Sequence, residues 1–280
     1  MTLNCNGKLV SLSQPLVMGV INLTQDSFYG GNSLQNNDAV IKKCGEMIKQ
    51  GVTFIDLGAQ STRPGSLRIE AKEEIKKLIP AINSILKTFP EALISIDTYH
   101  SEVAAKTVAE GVTMINDISG GEMDKEMIPT VASLKVPYVC MHMRGEPQTM
   151  QENAGKGDIV NEVLDFFILK KTECTAAGIK DLILDPGFGF GKNIHENFLL
   201  LHSLKLFKMV ECPIMAGLSR KSTIYKTLKV TADEALNGTT VLNSIALING
   251  ANILRVHDVK EACETIKLWQ SYMKAQTPCF

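Results

Sequence analysis

An excess of charge of either sign is missing from this chain: 29 Lys and Arg stand against 30 Asp and Glu over 280 residues, a formal net charge of -1. No overall field draws it to a nucleic-acid backbone or an anionic membrane, so neither is expected as a partner and any anion must be held locally. No stretch approaches the ~18 uninterrupted apolar residues of a membrane span. The opening MTLNCNGKLVSLSQ has none of the basic-then-apolar build of a secretory signal. Seven cysteines, at 5, 44, 140, 174, 212, 263 and 279, are scattered, odd in number and without a C-x-x-C pair. That usage suits reduced thiols and predicts a cytoplasmic protein. Linkers rich in Pro, Gly or Ser, charge blocks and low-complexity segments are also absent, so a single domain over 1–280 is the simpler reading. With 45% hydrophobic and 21% charged residues, disorder and fibrous architectures are poor fits.

What the chain does have is alternation. Short apolar runs recur at Pro15 to Ile21, Thr53 to Leu57, Ala92 to Ile96, Val112 to Ile115, Val136 to Met141, Asp181 to Leu184, Pro213 to Gly217 and Ala251 to Val256. Their near-continuous hydrophobicity is what parallel strands need when both faces are covered, and the stretches between them are long enough for crossover helices, as over Glu70 to Lys87, Val160 to Ala177 and Asp233 to Ile248. Eight strand-then-helix units in this length predict an α/β fold of the (β/α)8 TIM-barrel type rather than an open doubly wound sheet.

In such a barrel, function sits at the carboxyl ends of the strands. The polar residues there are Asn22, Asp56, Asp97, Asn116, His142, Asp185, the run Ser219-Arg220-Lys221-Ser222, and Arg255 with His257. Any one of them alone is as readily a helix cap or turn residue. Together they suggest a ligand with two chemistries. Carboxylates and amides suit a flat nitrogen heterocycle, while Lys221, Arg255, His257 and Arg63 suit anionic groups such as phosphate. The glycine-rich run Asp185 to Lys192 fits neither dinucleotide nor P-loop spacing and reads as a flexible strand-to-helix loop carrying two aromatics. The histidines show no H-E-x-x-H spacing and no Cys/His cluster, which argues against a dedicated zinc site. Mg2+ is the better expectation, with Asn22 supplying one oxygen and substrate phosphates the rest. No Ser-His-Asp or Cys-His arrangement can be assigned, and Cys140, inside an apolar run, is expected in the core.

The segments Met18 to Phe28, Ser61-Thr62-Arg63-Pro64-Gly65, Ser95-Ile96-Asp97-Thr98, Ile115-Asn116-Asp117, Met141-His142-Met143, Leu184 to Gly191, Gly217 to Ser222 and Arg255-Val256-His257-Asp258 closely resemble the dihydropteroate synthase family, in order, from about residue 15 to 270. The resemblance implies a homodimeric barrel that joins 6-hydroxymethyl-7,8-dihydropterin diphosphate to 4-aminobenzoate in folate biosynthesis and is a sulfonamide target. It implies a pterin-binding set of Asp97, Asn116, Asp185 and Lys221. For the diphosphate and Mg2+ it implies Asn22, Arg255 and His257. Thr62, Arg63 and Pro64 match a mobile second loop, and Phe190 and Ser222 match parts of the 4-aminobenzoate pocket. Diphosphate leaves readily once cations neutralise it, so an SN1-like route needs no protein nucleophile.

The sequence departs from the family pattern in two places. In the first loop Gln25 replaces a proline and Tyr29-Gly30 replaces Ser-Asp, removing an acidic group for which Asp26 is the nearest substitute. Ala59-Gln60 stands where Gly-Glu commonly occurs, a change expected to be peripheral. Glycines in Gly30-Gly31 and Pro64-Gly65 predict loops that close over the site and order the binding of 4-aminobenzoate. Two rival readings remain at this point. One is a corrinoid-dependent methyltransferase domain, which shares a pterin pocket but has no diphosphate to require Arg255 and His257. The other is a folate-binding module without catalysis.

Overall fold

The computed structural model describes residues 1–23, 33–60, 68–145, 155 and 157–275. The eight expected strands are all present: β3 (Leu16–Asn22), β4 (Phe54–Gly58), β5 (Leu93–Asp97), β6 (Met114–Asp117), β7 (Tyr138–Met141), β8 (Leu182–Asp185), β9 (Met215–Ala216) and β10 (Ile253–Val256). They form one parallel sheet in the order β8-β7-β6-β5-β4-β3-β10-β9. A parallel bridge between Leu184 and Ile214 brings its two ends together into a barrel. Outside run α1 (Ser33–Gln50), α2 (Ala71–Thr88), α3 (Ser101–Ala109), α4 (Met127–Leu134), α5 (Ile159–Ala177), α6 (Ile194–His202), α7 (Ser222–Leu228), α8 (Leu236–Ile248) and α9 (Val259–Ala275). The architecture is the (β/α)8 barrel expected from the alternation of apolar runs.

A feature absent from the sequence reading is the antiparallel hairpin of β1 (Thr2–Cys5) and β2 (Lys8–Ser11). Its turn is Asn6-Gly7, with φ of 53° and 88°, the left-handed pair that a two-residue hairpin of matching twist demands. Leu3, Cys5 and Leu12 from this segment pack with Met18, Phe54, Leu93, Met114, Val139, Ile183, Met215 and Ile253, closing the floor of the barrel.

Strand periodicity then explains the mouth. Alternate residues point to opposite sides, so a strand that sends Phe54 or Leu93 inward sends Ile55, Leu57, Ile94 and Ile96 outward, into the larger core beneath the helices. Two residues further along, the inward places are Asp56, Ser95, Asn116, Asp185 and Arg255. The interior is thus apolar at the floor and polar one layer higher, where it opens.

The helix α2 shows what burial does to a stray carboxyl. Its core-facing stripe is Glu74, Leu78, Ala81, Ile82 and Ile85. Glu74 is 1% exposed. Burial pushes it from 4.5 up to about 8, with Asp97 adding to the rise while Thr98 and Lys77 oppose it. A carboxyl raised in this way contributes stability that is complete below pH 4.5 and is lost as pH climbs toward 8. Glu74→Gln, which cannot ionise, should melt close to wild type near the lower value. It should become the more stable protein, on the order of 3 kcal/mol, at the higher one. Thermal melts across that range check this, and a stability gap independent of pH would show that Glu74 is not protonated in the fold.

Candidate active site

Lateral register assembles the first half of the mouth. Asp97 is paired across the sheet with Gly58 on one side and Asn116 on the other. Arg255 reaches over them from β10. Its Nε donates to Asp56 Oδ2 at 2.8 Å, and its Nη2 lies 2.7 Å from the same oxygen and 2.6 Å from Asp97 Oδ2. Asn116 Nδ2 donates to Asp56 Oδ2 as well, at 3.1 Å. Burial would depress the Arg255 guanidinium, but Asp56 and Asp97 hold it above its ordinary range. Burial pushes Asp97 up against the pull of Arg255.

The second half converges on a bare glycine. A Cβ placed on Gly217 would sit 3.7 Å from Lys221 Nζ and 3.9 Å from both Arg255 Cβ and Asp185 Oδ2. Three functional side chains therefore ring a patch of backbone with no side chain of its own, the shape that admits a flat ring. Burial raises the Asp185 carboxyl, and Lys221 with the Gly187 N–H, 2.7 Å from Oδ1, pulls it back. Burial lowers the Lys221 ammonium to about 8, opposed by Asp185. Its Nζ donates to the Phe188 carbonyl at 2.5 Å and lies 4.7 Å from the centre of the Phe190 ring. Phe190 in turn packs with Tyr99, Ile118 and Met141 as an apolar wall.

The glycine-rich loop after β8 is shaped by contact rather than looseness. Gly187 has φ of 68°, and a Cβ there would come within 1.9 Å of the His142 carbonyl oxygen. Lys192 locks the loop from behind: its buried Nζ donates to the carbonyls of His142, Gly187 and Phe190 at 3.1, 3.0 and 3.0 Å. Asn197 of α6 accepts from Gly189 N at 2.7 Å.

Of the expected site residues, the structure brings Asp97, Asn116, Asp185, Lys221, Arg255 and Phe190 together at this mouth. Ser222 opens α7 next to Lys221. Asn22 lies across Gly58 from Asp97: a Cβ on Gly58 would be 3.6 Å from Asn22 Oδ1 and 3.7 Å from Asp97 Oδ2. His257 is exposed at the rim, where a cleft of about 480 Å³ runs past Asn22 and His257 toward Lys42 and Lys43 of α1. The surrounding protein, with the cation on Arg255, keeps its ring below the ordinary histidine range. Thr62, Arg63 and Pro64, with Gln25, Asp26 and the two glycine pairs of the first and second loops, lie outside the described residues.

One expectation needs correction. His142 does not join the ring: it packs edge-on against Phe166 of α5 and lies 3.2 Å from Glu162, on the helix side of the wall. Gln60, at the second departure from the family pattern, is 8% exposed and its Oε1 accepts from Ile69 N at 3.2 Å, a structural contact. Lys192 was missed because its role depends on joining carbonyls of its own loop, those of Gly187 and Phe190, to that of His142, fifty residues away in sequence. Asp56 was placed at the mouth but given no partner.

Comparison with known proteins agrees with this geometry. A family model described as pterin binding enzyme matches residues 18–257. The chain is 39% identical over 278 residues to the dihydropteroate synthase of Escherichia coli (strain K12), covering 99% of this chain and 98% of that protein. It is 38% identical over 255 residues to the dihydropteroate synthase of Synechocystis sp. (strain ATCC 27184 / PCC 6803 / Kazusa), covering 90% and 88%. Among solved structures, the Yersinia pestis dihydropteroate synthase with a sulfonamide drug complex has a TM-score of 0.91 at 35% identity, covering 98% of this chain and 100% of that one. The Xanthomonas albilineans dihydropteroate synthase with 4-aminobenzoic acid gives a TM-score of 0.91 at 33% identity over 99% of each.

The loop geometry is open to a direct test with two alanine substitutions. Gly157 also has a positive φ, of 80°, but nothing lies within 4 Å of a Cβ there. Gly157→Ala should therefore cost only backbone strain, ~1 kcal/mol. Gly187→Ala adds a clash with a carbonyl that must move, and should cost at least ~2 to 3 kcal/mol and loosen the Lys192 clamp. Urea denaturation of the two variants reads the difference, and equal losses would show that the His142 carbonyl does not constrain the loop.

Proposed function

The chain belongs to the pterin-binding enzyme family, among the dihydropteroate synthases, and on that premise we propose how its barrel mouth divides the reaction between heterocycle and leaving group. The activity is a transfer in folate synthesis: the pterinylmethyl group of 6-hydroxymethyl-7,8-dihydropterin diphosphate passes to the amine of 4-aminobenzoate, giving 7,8-dihydropteroate and diphosphate. The observation that carries the assignment of roles is the convergence of Asp185, Lys221 and Arg255 on the bare backbone of Gly217.

Asp185 accepts the paired N–H groups of the pterin edge, and Lys221 donates toward the ring carbonyl. Asp97 and Asn116 meet the opposite side of the ring. Arg255, whose Nη1 makes no hydrogen bond among the described residues, and His257 hold the diphosphate. His257 acts as a neutral N–H donor, given its lowered range. The 4-aminobenzoate ring lies against Phe190 and Ser222; Thr62, Arg63 and Pro64, which the family resemblance assigns to the second loop, lie outside the described residues.

The donor set suits Mg2+. Asn22 offers a neutral oxygen facing the gap left by Gly58, and no trio of His, Cys, Asp or Glu among the described residues forms a full protein cage. Such a site fits an ion that takes one protein oxygen and fills its shell with phosphate oxygens and water. When bound there, Mg2+ neutralises charge on the departing diphosphate. The route is SN1-like: the C–O bond breaks with its electron pair leaving on the diphosphate, the amine nitrogen then bonds to the methylene carbon, and the amine proton is released. No covalent enzyme intermediate is required, and Cys140, buried with its thiol held far above the ordinary range, is not a nucleophile.

The whole of residues 1–280 serves as one pterin-binding domain. A homodimer is supported by apolar residues exposed on the outer helices, Phe198 and Leu199 of α6 with Val241, Ile245 and Ile248 of α8. No described helix is long and apolar enough to cross a membrane. A cytoplasmic location is supported by the free thiols of Cys5, Cys44, Cys140, Cys174, Cys212 and Cys263.

Formation of dihydropteroate from the two substrates by purified protein, with and without Mg2+, tests the reading as a whole. Turnover should appear only with the ion. Asp185→Ala should weaken pterin binding by on the order of 2 to 4 kcal/mol, because the ligand's buried donors lose their acceptor. Affinity unchanged within about threefold would remove Asp185 from the site. Lys221 gives a pH signature. Its ammonium, lowered to about 8, is present below that pH and lost above it. Pterin affinity should fall as pH rises through this value in wild type, whereas Lys221→Met should bind weakly throughout and show no such fall. Identical pH profiles for the two proteins would assign Lys221 no part in binding.

A further inference from the structure

Asp56 carries a charge where the barrel interior has little use for one. It is 0% exposed, in the polar layer of the barrel interior, and its lateral neighbours in the sheet are Val20 and Ser95. A fully buried carboxylate loses several kcal/mol of hydration, and a well-packed apolar side chain of similar volume is often at least as stable in its place. The charge is repaid through a single oxygen. Oδ2 accepts from Arg255 Nε at 2.8 Å, lies 2.7 Å from Arg255 Nη2, and accepts from Asn116 Nδ2 at 3.1 Å. Oδ1 is buried without a partner. The two side chains that Asp56 holds come from opposite parts of the wall: Asn116 stands on β6 and Arg255 on β10.

We propose that Asp56 is a positioning residue that registers the two ends of one substrate, fixing the Asn116 amide for the heterocycle and the Arg255 guanidinium for the diphosphate from one shared oxygen. This rests on the roles given above to Asn116 and Arg255. The physical reason is orientation. A guanidinium on a long side chain has many rotamers, and Asp97 contacts only its Nη2, which leaves the plane free to swing about that bond. A second contact at Nε sets the plane, and a planar fork delivers charge to a phosphate only when its plane is set. The Asn116 amide, donating to the same oxygen, is held in the orientation that turns its carbonyl away from Asp56. Asp56 touches neither substrate in this arrangement, so its effect passes through the other two residues.

The test is a kinetic cycle on the full-length enzyme with Asp56→Asn, Arg255→Gln, Asn116→Ala and the Asp56→Asn/Arg255→Gln pair. Asn is isosteric with Asp but loses the charge that holds both donors. Asp56→Asn should reduce kcat/KM for the pterin diphosphate about 10- to 100-fold, the usual range for a group that orients a contacting residue. The KM for 4-aminobenzoate should stay within about twofold, whereas general damage to the barrel would raise both constants. In the Arg255→Gln background the same substitution should cost several-fold less than in wild type, since of the two contacts it removes only the one to Asn116 is left. Wild-type kinetics for Asp56→Asn, or the same loss in both backgrounds, would overturn the proposal while leaving the roles of Arg255 and Asn116 intact. Wild-type turnover by Arg255→Gln and Asn116→Ala would instead overturn those roles and the proposal together. Should Asp56→Asn fail to fold, Asp56→Glu runs the same cycle, because the added methylene keeps the charge but displaces the shared oxygen.

Discussion

Arg255 held between Asp56 and Asp97 is the interaction on which the mouth depends. Three aspartates, Asp56, Asp97 and Asp185, are each less than a tenth exposed, and carboxylates so placed persist only when cations or donors face them. Arg255 serves the first two and Lys221 the third. The chain's near-zero net charge conceals this local arrangement, in which opposite charges are concentrated in one polar layer above an apolar floor. Removing the cation would leave two buried anions side by side, so the guanidinium is as much a part of the barrel's construction as of its chemistry.

The rest of the frame keeps that layer still. The hairpin of β1 and β2 seals the floor, so the interior below the aspartates stays apolar and dry. On the other side of the strands, Asp117 faces outward and accepts from Tyr138 and from the turn after β6, which anchors the strand end carrying Asn116. Arg220 pairs with Asp258 through two bonds of 2.9 Å, tying the loop that bears Lys221 to the loop that follows β10. These ion pairs stand behind the mouth and leave its inward residues to each other and to the ligand.

The sequence made the fold legible because each strand of a closed barrel is apolar on both sides near its start, and that run is conspicuous in any single unit. Which polar residues end a strand was legible for the same reason. Direction was not. His142 follows the apolar run of β7 as directly as Asp185 follows that of β8, yet it turns outward to Phe166, because Asp185 is level with Met141 and a step of one residue reverses the side of the sheet. The Asn6-Gly7 turn was a readable hairpin signal in a segment that had been considered only as a possible leader. Lys192 and Asp56 required three dimensions, since the first binds carbonyls from two loops and the second joins residues from strands far apart in sequence. The residues of the first and second loops, Arg63 among them, lie outside the described structure and are known here from sequence alone.

The balance of charge in the mouth has a consequence for how the substrate is received. Arg255 already answers two carboxylates, and Lys221 spends one donor on the Phe188 carbonyl while facing Asp185. The polar layer is therefore neutralised for a heterocycle, which is uncharged and needs donors and acceptors in fixed places. A diphosphate is different. It brings negative charge to a mouth with little positive charge in surplus, and the exposed His257 adds a donor rather than a cation. Charge for the leaving group must then come with it or from elements beyond the layer. On the proposed reading, an ion held by the phosphates and the neutral oxygen of Asn22 would supply it without disturbing the aspartates. The proposed division between a heterocycle site whose charges already answer one another and a leaving-group site assisted by an ion rests on that balance.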